Sequence, residues 1–278
     1  MSIERFIPIN GVTYHIRIEG TGEPVLLLHG FTGSLHTWSY LIETYKEKFS
    51  FLAVDLLGHG QTDSPEQPER YRMEAAADDI KELLDCLGVR PVHLLGYSMG
   101  GRLAIGFAAR YPHYVRSLIL ESSSPGLKTL QEQNARKKHD AELAERIMNI
   151  GVERFTEEWS GIPLFSTQER LPQEMKDRVR KERLLQKEAG LAGSLKGMGT
   201  GSQPSLWGDL SSLQMPVLVL AGEYDLKFVH IAKQMTTTLP NHEIHIFGDA
   251  GHAIHVEKPA EFGKIVNEYL LRRKNDGN

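Results

Sequence analysis

The chain contains a single cysteine, no apolar run near the roughly 20 residues that span a bilayer, and no excess of positive charge. One cysteine excludes an internal disulfide and points away from an oxidising compartment. A formal net charge of −4 leaves no bulk attraction to nucleic acid or to an anionic membrane, so any cationic site has to be local. The opening MSIERFIPIN lacks a charged leader, an apolar core and a small-residue cleavage site. It therefore does not read as a signal peptide, and a cytoplasmic protein is expected. Cys86 lies among Ile80, Leu83, Leu84 and Leu87 at helical spacing, which reads as a helix position near the core. Nothing beside it would lower its pKa for catalysis.

Internal repeats, low-complexity tracts and a long linker are also missing. What is present is 278 residues, 40% hydrophobic and 24% charged, enough to bury a sizeable core in one domain covering 1–278. Two alternating segments, Arg5–Ile9 and Thr13–Ile18, flank Asn10-Gly11, whose tolerance of positive φ suits a tight hairpin turn. Beyond them the pattern changes to short unbroken apolar runs at Val25–Leu28, Phe51–Val54, Val92–Leu95, Val115–Leu120 and Val217–Ala221. Such runs suit strands buried on both faces of a parallel sheet. Helical stretches such as Met73–Leu87 and Leu103–Arg110 alternate with them, which implies helices on both sides of the sheet. Residues 122–213 interrupt that order. They are rich in charge and helix formers, notably Gln131–Ile150 and Gln173–Lys187, and read as a helical cap inserted over the strand ends. The polar tail Arg272–Asn278 is expected to fray.

The chemistry centres on Gly96-Tyr97-Ser98-Met99-Gly100, directly after one strand run and before a helix. Small residues permit a sharp turn that projects the Ser98 hydroxyl, and the following helix N-terminus offers backbone N–H groups to a developing oxyanion. Asp225, in a loop after Val217–Ala221, and His252, in a loop after a strand at Glu243–Phe247, follow in the order serine, acid, histidine. The imidazole would take the Ser98 proton while the carboxylate fixes its tautomer. Glu223 and Asp249 compete as the acid but read as turn or surface residues. His255 reads as a packing or supporting residue, and His29 and His59 as organisers of their own turns. Two backbone amides are expected to form an oxyanion hole, that of Met99 and that of Phe31 in His29-Gly30-Phe31-Thr32-Gly33. The remaining histidines lack metal-ligand spacing, so neither a metal nor another cofactor is expected.

Arg102 lies four residues after Ser98 and so shares its helix face. A buried guanidinium costs several kcal/mol as an order of magnitude unless a charge meets it. Either a protein carboxylate pairs with it, or the substrate is an anion bound through parallel hydrogen bonds. Arg136, Arg180 and Arg183 in the insertion, and Lys227 after Asp225, are further candidate cations.

His29-Gly30, Asp55-Leu56-Leu57-Gly58-His59-Gly60, the serine turn, the late aspartate and Gly251-His252 together resemble the α/β-hydrolase superfamily across nearly the whole chain. The resemblance implies an α/β-hydrolase fold: a mostly parallel sheet with an N-terminal antiparallel hairpin and a helical cap. Within it, several stretches resemble the menaquinone-pathway synthases that make 2-succinyl-6-hydroxy-2,4-cyclohexadiene-1-carboxylate. They are Gly96–Arg102, Trp159 with Pro163-Leu164-Phe165, Gly197–Gly201 through Gln203–Trp207, and Gly222–Phe228. That resemblance implies a lyase that eliminates pyruvate from a small polycarboxylate, with Ser98 as a base and the Phe31 and Met99 amides holding an enolate-like oxygen. It further implies that Tyr97 and Trp159 line the pocket and that Arg102, Arg136 and Arg183 meet carboxylates. Gln133 stands where the family pattern has an arginine. The competing expectation is an esterase, thioesterase or carbon–carbon bond hydrolase acting on an acidic substrate, because the same three residues serve both. A non-catalytic binding protein fits an intact Ser/Asp/His set poorly.

Overall fold

Asn10 and Gly11 both take positive φ, 48° and 78°, closing the hairpin between β1 (Ser2–Ile9) and β2 (Val12–Gly20). The computed structural model describes residues 2–275. β2 pairs antiparallel with β4 (Phe49–Val54), and every later pairing is parallel. The remaining strands are β3 (Glu23–Leu28), β5 (Val92–Tyr97), β6 (Val115–Glu121), β7 (Val217–Gly222) and β8 (His242–Phe247). They form one sheet in the order β1-β2-β4-β3-β5-β6-β7-β8. The mostly parallel sheet with its N-terminal antiparallel hairpin is the architecture that the apolar runs and the turn predict.

Successive residues of β3 feed two different cores, as a twofold strand period requires. Leu26 and Leu28 pack with α2 (Met73–Leu87) and α3 (Met99–Arg110), while Val25 and Leu27 pack with α1 (Ser39–Tyr45) and, near the chain's end, Phe262 and Val266. All four β3 residues are fully buried, which explains a strand written without polar alternation. Cys86 departs from expectation: it is exposed. Ala76, Ala77, Ile80, Leu83 and Leu84 define the buried face of α2, and at 3.6 residues per turn Cys86 points away from Leu84.

Between β6 and β7 lie α4 (Leu130–Ser160), α5 (Gln173–Leu184) and α6 (Glu188–Met198). Thr129 and Glu132 cap the start of α4 reciprocally. Gly151 (φ 78°, ψ 163°) interrupts the helix, which resumes beyond it, so α4 extends past Ile150 to Ser160. α5 stops at Leu184, short of Lys187. Ala144, Ile147 and Phe155 of α4 pack with Leu191, Ala192 and Leu195 of α6, and Phe31 from the loop after β3 packs against this small core. That contact seats the helices over the C-terminal ends of the strands.

Downstream come α7 (Leu226–Thr236), α8 (Ile254–Glu257) and α9 (Pro259–Asn275). α9 carries the expected polar tail as helix through Asn275, with Arg272 bonded to Glu243 at 2.6 Å. The rest of the tail, 276–278, lies outside the described residues. Among the described residues no helix is long and apolar enough to cross a membrane.

Candidate active site

Ser98 bridges β5 and α3 with φ 49° and ψ −104°, a backbone state that only surrounding contacts can hold. Its N–H donates to the Glu121 carbonyl at 2.9 Å. Gly100 is required by crowding: a Cβ there would stand 2.3 Å from the Leu28 carbonyl oxygen. The turn therefore presses against β3 and β6 and presents the hydroxyl beyond the strand ends.

His252 is buried and bonded on both sides. Its Nδ1 lies 2.6 Å from Asp225 Oδ2, and its Nε2 lies 3.0 Å from Ser98 Oγ. With Nδ1–H donating to the carboxylate, Nε2 is left as the acceptor for the Ser98 hydroxyl. Asp225 also caps α7, taking the Phe228 N–H on Oδ1 at 3.4 Å. The Phe228 ring meets the imidazole edge-on at 4.7 Å. Glu223 and Asp249 are exposed and engaged elsewhere: Asp249 N–H donates to Glu223 at 3.2 Å, and the Tyr224 hydroxyl donates to Asp249 at 2.8 Å.

Three further histidines support the loops. His255 places its ring Nδ1 against both Glu121 oxygens at 2.9 and 3.0 Å, and its N–H donates to Glu121 Oε1. Glu121 thus holds the Ser98 turn through its carbonyl and the His252 loop through its carboxylate. His29 Nε2 accepts the Leu56 N–H at 2.9 Å, and its Nδ1 lies 2.7 Å from the Gly30 carbonyl. Burial lowers its pKa. His59, beside it, is pushed down to about 3 by burial and by the neighbouring His29.

Ser98 and His252 open on a cavity of about 200 Å³ that Phe31, Met99, Arg102 and Trp159 also line. Arg136 and Lys227 reach the same cavity. Arg136 Nε pairs with Asp140 at 2.7 Å, whereas Lys227 is exposed. Arg102 is enclosed, and its Nη1 donates to the Met198 carbonyl at 2.8 Å and to Gln203 Oε1 at 2.7 Å. Among the described residues no carboxylate pairs with it. Burial pushes its pKa down to about 10, Arg136 pushes in the same direction, and Asp140 opposes them.

Tyr97 and Arg183 border a different, smaller cavity of about 50 Å³ that shares Phe31 with the first. Arg183 stacks over the Phe165 ring at 4.7 Å and donates to Ser160 Oγ at 2.6 Å. Arg180 stays at the surface near Glu157, and Gln133 bonds the Leu127 carbonyl. The sequence alone does not point to Glu121, Glu182 or Gln186, and it gives Gln203 no role. No local motif marks a residue whose partner comes from another element.

A family model for the alpha/beta hydrolase fold matches residues 23–259. A putative 2-succinyl-6-hydroxy-2,4-cyclohexadiene-1-carboxylate synthase of Bacillus subtilis is 46% identical over 263 residues, covering 94% of this chain and 96% of that protein. The synthase of that name from Photorhabdus laumondii is 31% identical, over 87% of this chain and 84% of its own. Among solved structures, MenH from S. aureus superposes with a TM-score of 0.88 at 34% identity, covering 93% of this chain and 98% of its own.

Proposed function

The chain belongs to the α/β-hydrolase fold family and, within it, to the 2-succinyl-6-hydroxy-2,4-cyclohexadiene-1-carboxylate synthases, and from that membership we infer its reaction. It is a lyase that eliminates pyruvate from 2-succinyl-5-enolpyruvyl-6-hydroxy-3-cyclohexene-1-carboxylate. The double bonds define the step. A 3-ene becomes a 2,4-diene, so the C2–H bond and the C5–O bond break while the alkene shifts. No water is consumed, and no acyl-enzyme is required.

In our reading His252 takes the Ser98 proton, and Ser98 Oγ removes the hydrogen from C2, next to the succinyl carbonyl. Charge develops on that carbonyl oxygen, where the Phe31 and Met99 amides receive it, each worth about 3 kcal/mol. Collapse of the enolate expels the enolpyruvyl oxygen. The enol takes a proton from the imidazolium and becomes pyruvate. Asp225 stabilises the imidazolium between the two transfers. Arg102 and Arg136 meet substrate carboxylates, with Trp159 and Lys227 lining the same pocket. Tyr97 and Arg183 act from the smaller cavity behind Phe31.

One observation carries this reading: a buried guanidinium with no carboxylate partner among the described residues opens on the same cavity as the serine–histidine pair. An ester hydrolase for neutral acyl chains gains nothing from that arrangement. We also place the reaction in the cytoplasm, where the exposed Cys86 thiol stays reduced. The decisive experiment supplies purified protein with the enolpyruvyl substrate and, separately, with p-nitrophenyl esters. Pyruvate release should far outpace ester cleavage. Rapid ester turnover without pyruvate would instead establish a hydrolase.

A further inference from the structure

The charge of Arg102 is left uncompensated by the groups that bond it. Its partners are both uncharged, the Met198 carbonyl and the Gln203 amide oxygen, while the nearby Asp140 carboxylate is engaged by Arg136. Gln203 is itself 1% exposed and wedged in place. A Cβ on Gly126 would stand 2.9 Å from Gln203 Nε2. Just beyond, Leu206 N–H donates to the Pro125 carbonyl at 2.7 Å and Trp207 Nε1–H to the Gly126 carbonyl at 2.9 Å. These bonds fasten the Gln203 segment to the Gly126 turn, which lines the substrate cavity. The amide has one sensible orientation, oxygen towards the guanidinium, because its NH2 would oppose another donor.

An amide oxygen steers a guanidinium without cancelling its charge. A carboxylate in that place would form a closed ion pair and leave little attraction for a ligand. We propose that Gln203 is a positioning residue whose neutrality sets the preference for an anionic substrate: it aims Arg102 at a substrate carboxylate and leaves the charge uncompensated. This rests on the anionic-substrate reading above.

Two variants separate the charge from the positioning. Gln203→Glu is nearly isosteric and keeps an acceptor on Nη1. It is expected to raise KM for the enolpyruvyl substrate about tenfold or more with a much smaller change in kcat, and to weaken succinate binding by calorimetry equally. Inactivation of Ser98 by uncharged phenylmethylsulfonyl fluoride should proceed at the wild-type rate. Gln203→Met removes the acceptor without adding charge, so succinate binding should hold while kcat/KM for the full substrate falls about tenfold. A purely structural glutamine predicts a Glu variant with wild-type KM and succinate binding, and a Met variant in which kcat/KM and sulfonyl fluoride reactivity fall together. Succinate binding undiminished in Gln203→Glu, a parallel loss of sulfonyl fluoride reactivity, or wild-type kcat/KM in Gln203→Met each overturns the proposal. Absence of pyruvate release by the wild type would remove the assigned reaction instead, and the succinate titration still reads the Arg102 environment.

Discussion

Glu182 accepts three hydrogen bonds through one carboxylate oxygen, from the Ser34 N–H, the Ser34 hydroxyl and the Thr37 hydroxyl, all at 2.7 Å. One turn later Gln186 donates to the Gly33 carbonyl at 3.1 Å and accepts the Gly60 N–H at 3.0 Å. The end of α5 is thereby tied to the loop that carries Phe31. Glu182→Ala should cost about 1.5–3 kcal/mol at this junction, appearing as faster amide exchange at 31–37 and a lower kcat. Unchanged exchange in that loop would show that the junction does not hold it.

Asp225→Asn should leave the fold intact, because asparagine also caps a helix start. It should nevertheless lower kcat by about 10³–10⁴, since the imidazole then adopts the tautomer that cannot accept the Ser98 proton. Near-ultraviolet circular dichroism alongside single-turnover kinetics checks both halves. Retained turnover would assign the acid elsewhere.

For Arg102→Ala the expected loss in kcat/KM is about 10- to 100-fold, the worth of one or two hydrogen bonds to a charged group. The sulfonyl fluoride reaction of Ser98 should persist, since the relay does not touch Arg102. Wild-type kinetics in this variant would remove the anion-binding role.

Acid should unfold the protein through its buried histidines. His59 sits at about 3 in the fold against an ordinary value of 6.5, so the unfolded chain binds the extra proton first as pH falls. Its stabilising contribution is complete above 6.5 and declines from there towards about 3, at up to about 1.4 kcal/mol per pH unit. His29, also lowered by burial, adds in the same direction. Urea unfolding of the wild type and His59→Gln between pH 7.5 and 4.5 should give a shallower slope for the variant. Parallel slopes would exclude His59 as a source of the acid sensitivity.

The strands were legible because a strand buried on both faces has to be an unbroken apolar run, as Val25–Leu28 is. The Ser98 turn was legible because its crowding against Leu28 demands glycine at position 100. What stayed hidden depends on how separate elements dock. Spacing on α2 suggested a core position for Cys86, but the buried face is set by the sheet it meets, and that face runs through Leu83 and Leu84. Arg102 is near Ser98 by helix geometry alone, whereas Arg183 and Tyr97 border the cavity behind Phe31, which no single-element pattern encodes. Glu182 carries no signature in sequence, since its partners Ser34 and Thr37 are more than 140 residues away.

The Ser98–His252 hydrogen bond joins residues 154 positions apart, and the histidine loop follows β8, the last of the described strands in chain order. A nascent chain that has not yet delivered that edge strand carries the serine but has nothing to accept its proton. On the proposed relay, turnover is expected to begin only once that strand has joined the sheet. Regain of turnover during refolding, set beside regain of secondary structure, would time the arrival of the sheet's final strand without any added label.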